Sequence, residues 1–191
     1  DLNESLEKKK LEKILKLTKK VDRNNLDIAI DALEKLGIIS KDDSGYLKRT
    51  DYDSHLHARL RCSSKGYCFA IRDDGGEDIY IRDQYLNHAW NGDRVLVKIT
   101  REGIRRRSPE GIVLCIIERA TQNLIGLIEN EEGSPIAIPL DDRILSTIRL
   151  PKTDLEYLID DQEDNVVEVK IDRFPLAQLP AEGHIVRPLP L

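Results

Sequence analysis

Two rhythms of apolar residues divide the chain. Leu6, Leu11, Ile14, Leu15 and Thr18 recur at helical spacing with Lys and Glu between them, which predicts an amphipathic helix over residues 4–20. A second helix is predicted from Asn25 as N-cap, with Asp27 in the first turn and Leu26, Ala29, Ile30, Leu33 and Leu36 on one face. Gly37 sits at its C-terminal glycine position. Ile38-Ile39 and Tyr46-Leu47, separated by Lys41-Asp42-Asp43-Ser44-Gly45, read as a short hairpin. Helices followed by a small hairpin suggest a winged-helix-like module over residues 1–52.

From Leu56 onward the period becomes two. Runs at 56–62, 67–72, 78–82, 94–100 and 111–118 are alternating or rich in β-formers, with turn residues between them, and the same grammar resumes at 124–129, 136–140, 166–172 and 184–187. The second set repeats the first. Val95-Leu96-Val97-Lys98-Ile99-Thr100-Arg101 matches Val167-Glu168-Val169-Lys170-Ile171-Asp172-Arg173, and Glu110-Gly111 matches Glu182-Gly183 at the same spacing. Ala70-Ile71-Arg72-Asp73-Asp74 resembles Ala137-Ile138-Pro139-Leu140-Asp141-Asp142 at a slightly shorter one. Two copies of a short unit, each of about five strands, fit two closed OB barrels better than two halves of a sandwich. The expected fold is therefore mainly β with an N-terminal helical module: a winged-helix-like domain, then tandem five-stranded OB-fold barrels over residues 53–121 and 122–191. Thr153-x-x-Glu156 ahead of Leu158-Ile159 reads as a capping box, which places a helix between the third and fourth strands of the second copy.

Composition narrows the possible roles. At 191 residues, with 40% apolar and 34% charged, the chain is expected to fold into one to three soluble domains. No apolar run approaches the roughly 18–20 residues of a membrane span. Asp1-Leu2-Asn3-Glu4 does not begin a signal peptide, and the lack of any methionine is expected of a trimmed segment. A net charge of −5 disfavours an indiscriminate nucleic-acid binder. Cys62, Cys68 and Cys115 form no CxxC pair and are odd in number, so they read as reduced residues of a cytoplasmic protein.

The most informative stretch is Lys65-Gly66-Tyr67-Cys68-Phe69-Ala70-Ile71. On a strand Tyr67 and Phe69 share one face, while Cys68 and Ala70 take the other and suit a tight barrel interior. Asp78-Ile79-Tyr80-Ile81-Arg82 repeats the logic, with Tyr80 and Arg82 outward. Three outward rings flanked by Lys65, Arg72 and Arg82 make a platform for unstacked bases with cations beside it. The competing reading packs these rings under the helices or the other barrel. Three stacks at about 1–3 kcal/mol each set a gross scale of about 3–9 kcal/mol, against roughly 8 for a micromolar complex. Copy two has Gly133-Ser134-Pro135-Ile136 where copy one has the aromatic run, so it is expected to guide a strand or hold register.

Arg105, Arg106 and Arg107, with Arg101 and Lys98, form the densest basic cluster, either a phosphate clamp or a solvated loop guarding a strand edge. Asp27, Asp31 and Glu34 against Lys35 make the second helix a poor DNA reader. His55 and His57 lack a third ligand at metal spacing. Asp73-Asp74, Asp141-Asp142 and Asp160-Asp161 fall at turns or helix ends where Asp is ordinary. No nucleophile elbow, phosphate loop or HExxH occurs, so neither a catalytic nor a metal site is expected in this chain.

Lys65-Gly66-Tyr67-Cys68-Phe69 resembles the first RNA-contacting motif of cold-shock domains, and Asp78-Ile79-Tyr80-Ile81 the second. Leu86 through Val97, and Glu110 through Ala120 leading into Leu124-Ile125-Gly126, are similar to the corresponding stretches of the ribonuclease II/ribonuclease R family. Helical module, first and second cold-shock domain follow that family's N-terminal order over nearly the whole chain. Cys68 departs from the usual middle glycine. The resemblance implies single-stranded RNA binding and substrate guiding by the non-catalytic part of a processive 3′-to-5′ exoribonuclease. The partner would be its own C-terminal nuclease domain, and magnesium would be held there rather than here. The alternatives are a free-standing OB-fold RNA-binding or RNA-chaperone protein with no nuclease activity, and a protein-interaction scaffold.

Overall fold

The computed structural model describes residues 5–50, 55–157 and 165–189. The chain divides into two compact units, Asp1–Asp53 and Ser54–Leu191. The first contains β1 (Leu6–Glu7), α1 (Lys8–Ile14), α2 (Lys20–Lys35), β2 (Ile39–Lys41) and β3 (Tyr46–Arg49), with sheet order β1-β3-β2. The hairpin forms where the sequence placed it, Ile39 facing Arg49 and Lys41 facing Leu47.

The helix expected over residues 4–20 is interrupted for two reasons. Leu6 and Glu7 are drawn into the sheet opposite Leu47 and Tyr46. Lys16 then adopts a φ of 52°, with its N–H donated to the Lys13 carbonyl and that of Leu17 to the Glu12 carbonyl, a Schellman-type end with no glycine to announce it. Consequently α2 begins at Lys20, and Asn25 lies inside the helix rather than capping it. The other end follows the sequence reading: Gly37 has a φ of 70°, and the Ile38 N–H reaches the Leu33 carbonyl at 2.9 Å. Ion pairs Lys8–Asp27 and Arg23–Glu12 join the two helices. Among the described residues no helix is long and apolar enough to cross a membrane.

The second unit holds two closed barrels. Barrel one consists of β4 (His55–Cys62), β5 (Cys68–Arg72), β6 (Ile79–Ile81), β7 (Arg94–Arg101) and β8 (Glu110–Glu118), in the order β4-β5-β6-β8-β7. Barrel two repeats this with β9 (Asn123–Glu131), β10 (Ser134–Pro139), β11 (Ile148–Arg149), β12 (Val166–Arg173) and β13 (Ala181–Pro188). In each, the third strand pairs parallel with the fifth, Tyr80 facing Glu110 and Arg149 facing Glu182. β11 has only two residues, too few to leave an alternating signature in the sequence. A 3-10 helix, Lys152–Tyr157, occupies the place of the expected helix. Its capping box does not form: the Thr153 hydroxyl turns to Asp154, and Asp154 accepts the Ile185 N–H at 2.9 Å. Leu158-Ile159 and Asp160-Asp161 lie outside the described residues.

The duplication extends to irregular backbone. Register shifts fall between Leu96 and Val97 and between Ile99 and Arg101, then recur between Glu168 and Val169 and between Ile171 and Arg173. Both β7–β8 and β12–β13 close through two-residue turns, Arg105-Arg106 and Ala177-Gln178, between the bridges Ile104–Arg107 and Leu176–Leu179. Gly111 and Gly183 are the matched close-approach points. A Cβ on Gly111 would meet the Lys98 carbonyl oxygen and Ile79 Cγ2 at 2.8 Å, and one on Gly183 would collide with the carbonyl oxygen of Lys170.

One cysteine expectation is corrected. Cys62 and Cys68 are joined by a disulfide, leaving Cys115 as the free thiol. The reason is register: β4 and β5 place the two cysteines directly opposite each other, with Cα atoms 4.1 Å apart, and the Cys62 N–H turns away to Asn91 Oδ1.

The barrels share a joint built on Asp93, which is fully buried. Its carboxylate accepts the N–H of Trp90 at 2.8 Å, that of Ala120 at 2.9 Å and Arg119 Nη1 at 2.9 Å. The guanidinium lies 4.1 Å from the Phe174 ring centroid, and the Phe174 and Trp90 rings meet edge-on at 5.2 Å. Trp90, from the segment before β7, packs into the core of barrel two with Leu124, Ile148 and Val169.

Candidate nucleic-acid interface

Strand alternation in barrel one sorts the candidate residues. Cys68, Ala70, Ile79 and Ile81 enter the core, each 2% exposed or less. Phe69 and Tyr80 are left on the outer face directly opposite each other, with ring centroids 5.4 Å apart and planes tilted by 51°. Tyr67, one step before β5, is 55% exposed. None of the three is sealed in the core of barrel one.

Pairing extends the outer row on both sides. Arg61 on β4 faces Phe69, and Tyr80 faces Glu110, which in turn faces Arg101. Phe69 and Tyr80 thereby lie in a shallow groove of about 500 Å3 whose walls include Arg82, Arg101, Arg106, Arg107, Ser108 and Glu110. Glu110 holds Arg82 at 2.9 Å and Arg101 at 3.8 Å. Four arginines around one carboxylate leave the groove cationic, so it can receive both a base and the phosphates flanking it.

Three expected site residues sit elsewhere. Arg72 has the parity of Ala70, not of Phe69, and faces the buried Ala58. Its guanidinium is held by Asp74 in a two-point pair, Nε at 2.8 Å and Nη2 at 2.6 Å, which lowers the Asp74 carboxyl to about 2. Lys65 is exposed in the β4–β5 turn and does not line the groove. Arg105 occupies the strained corner of its turn, φ 45°, while its neighbours Arg106 and Arg107 line the groove. Arg61 and Glu110 were missed because their place beside the rings depends on strand pairing across distant sequence; Arg101 was seen only as part of a charge cluster.

Among its described residues barrel two carries no such face. At the positions matching Phe69 and Tyr80 it has Ile136, 9% exposed, and Arg149, and its β12–β13 tip is apolar, with Leu176 and Leu179 exposed. The two acidic pairs among the described residues hold arginines. Asp73 binds Arg94 at 2.6 Å, and Asp141 binds Arg143, which lowers the Asp141 carboxyl. Among the described residues no group of three or more His, Cys, Asp or Glu side chains converges to hold a metal ion.

The ribonuclease B OB domain family matches residues 58–116, and the cyanobacterial RNase R N-terminal domain family matches residues 2–49. The acetazolamide conferring resistance protein zam of Synechocystis sp. is 46% identical over 165 residues, covering 86% of this chain and 21% of that protein. Ribonuclease R of Aquifex aeolicus is 29% identical over 116 residues, covering 61% of this chain and 16% of the relative. The chain thus spans about a fifth of the length of these relatives. Among solved structures, Mycoplasma genitalium RNase R in complex with ribose-methylated single-stranded RNA aligns over 70% of this chain and 21% of its own, with TM-score 0.56 and 18% identity. Yeast Ssd1, a pseudonuclease, aligns over 71% of this chain and 23% of its own, with TM-score 0.58 and 18% identity.

Proposed function

Because the chain belongs to the ribonuclease II/ribonuclease R family and corresponds to its N-terminal region, we propose that it binds single-stranded RNA on the outer face of barrel one and guides it toward the nuclease domain of a processive 3′-to-5′ exoribonuclease. The observation that carries this reading is the pair of facing rings, Phe69 and Tyr80, on the floor of an arginine-walled groove. A duplex hides the faces of its bases, whereas a single strand can lay one base on each ring and its phosphates against Arg106 and Arg107. Glu110 holds Arg82 and Arg101 at the edge of the groove before RNA arrives, so less side-chain freedom is lost on binding. The relative whose structure was solved with single-stranded RNA supports that ligand. In this reading hydrolysis and any magnesium belong to the parent's nuclease domain, while Glu110 and Asp73 hold Arg82 and Arg94. The setting proposed is cytoplasmic RNA turnover.

Fluorescence anisotropy with a labelled single-stranded RNA tests the reading. Phe69→Ala and Tyr80→Ala should each weaken binding by about fivefold to 150-fold, the equivalent of about 1–3 kcal/mol per lost stack. Arg106→Ala and Arg107→Ala should each flatten the dependence of affinity on salt by about 0.7 in log–log slope. Ring variants that bind like the parent, or equal affinity for single and double strands, would overturn the proposal.

A further inference from the structure

The disulfide lies where it can affect the RNA face. Cys62 and Cys68 form the last rung of the β4–β5 ladder, and the turn beyond them carries Tyr67. That turn is otherwise held by three hydrogen bonds: Ser63 N–H to the Tyr67 carbonyl, Gly66 N–H to the Ser63 carbonyl, and Tyr67 N–H to Ser63 Oγ at 3.3 Å. Phe69, by contrast, is braced by Tyr80 across the ladder. Tyr67 is therefore the outward ring whose position depends most on the covalent rung.

The sulfurs also border an opening. The two cysteines are 8% and 2% exposed, yet both line a cleft of about 170 Å3 between the barrels, together with Ser63, Gly66, His88, Trp90 and Leu145. Disulfides in a reducing compartment are characteristically transient or redox-sensing. A disulfide reached by a cleft can be attacked by a thiolate without unfolding the barrel.

We propose that Cys62 and Cys68 form a reversible thiol–disulfide exchange site served by a dithiol reductant, and that its state sets how firmly barrel one presents Tyr67 to RNA. In the forward direction one thiolate of the reductant attacks a sulfur of the pair, breaking the Cys62–Cys68 bond and forming a mixed disulfide. The second thiolate of the reductant then displaces that sulfur. Two electrons pass to the pair, both cysteines leave as thiols, and the reductant leaves as its own disulfide. Oxidation reverses each step. The coupling to affinity rests on the RNA reading above; the exchange site does not.

Dithiothreitol is the probe, used on the whole chain with circular dichroism to confirm that the fold persists. The air-equilibrated chain should show one titratable thiol in denaturant, Cys115, and the native chain treated with dithiothreitol should show three. Amide exchange at Gly66 and Tyr67 should accelerate on reduction while that of β7 does not. Affinity for single-stranded RNA should fall by about two- to tenfold, the range for loosening one immobilised side chain, and return on reoxidation. The double variant Cys62→Ser/Cys68→Ser should bind like the reduced chain and ignore the reagent, whereas Cys115→Ser should keep the full response. Three free thiols at the outset, resistance to dithiothreitol short of unfolding, or unchanged exchange at Gly66 and Tyr67 would overturn the exchange site. RNA affinity identical in both states, with exchange altered, would overturn the coupling. Absence of binding in either state would refute the RNA reading instead.

Discussion

Replacing Asp93 with Ala should loosen the joint between the barrels before anything else in the second unit. The carboxylate is fully buried and takes three donors, the N–H groups of Trp90 and Ala120 and the Arg119 guanidinium. Burial draws Arg119 below its usual pKa, and the Asp93 charge pulls it back up. Without that carboxylate the guanidinium, 17% exposed, keeps the His88 carbonyl at 2.9 Å but has lost its counter-charge, and two amides lose their acceptor. Breaking one side of a buried pair costs about 3–5 kcal/mol, and Arg119 is sheltered enough to place this pair in that range. For a unit of this size that corresponds to a fall in Tm of about 10–17 °C. Trp90 is the only tryptophan in the chain, so its fluorescence reports the joint directly. In urea titrations of Asp93→Ala, the emission should shift to the red at lower denaturant than the far-ultraviolet signal of the strands. Asp93→Asn, which keeps the shape and one acceptor, should lose less. A stability change under about 1 kcal/mol, with Trp90 emission unaltered, would show that the carboxylate does not hold the joint.

Two smaller tests address other features. Gly183→Ala should destabilise the second unit by about 1–3 kcal/mol in chemical denaturation, because its Cβ would collide with the Lys170 carbonyl and lie 3.0 Å from Val169 Cγ1; a change within error would mean β12 can shift freely. Asp74 should titrate near pH 2 by carboxyl-carbon NMR, because Arg72 and the Gly76 N–H favour its charged form. Its folded value is depressed, so the stabilisation is complete above the unfolded carboxylate's pKa and is lost as pH falls from about 4 through about 2. Arg72→Gln should move that midpoint toward the ordinary carboxylate range, and no movement would refute the pairing.

Local grammar carried much of the fold. Alternation marked nine of the ten barrel strands, and the match of residues 95–101 with 167–173 foretold a duplicated five-stranded unit, whose bulges the structure shows to coincide as well. What escaped was whatever depends on pairing. The two residues of β11 leave no period, and the αL backbone of Lys16 is invisible where no glycine stands. Cys62 and Cys68 look unrelated until β4 and β5 are set in register, and the same register brings Arg61 beside Phe69. Arg72 was misplaced by nearness in sequence, although its parity already assigned it to the other side of the strand. The outward direction of Tyr67, Phe69 and Tyr80 followed from period two alone.

The indole of Trp90 has a consequence for how the two copies can be separated. It comes from the segment ahead of β7, yet it belongs to the buried core cluster of the second barrel. Severing the chain at the apparent boundary after Thr121 would pull that plug and admit water beside Leu124, Ile148 and Val169. Once-equivalent halves that trade a side chain in this way can no longer be inherited as interchangeable cassettes.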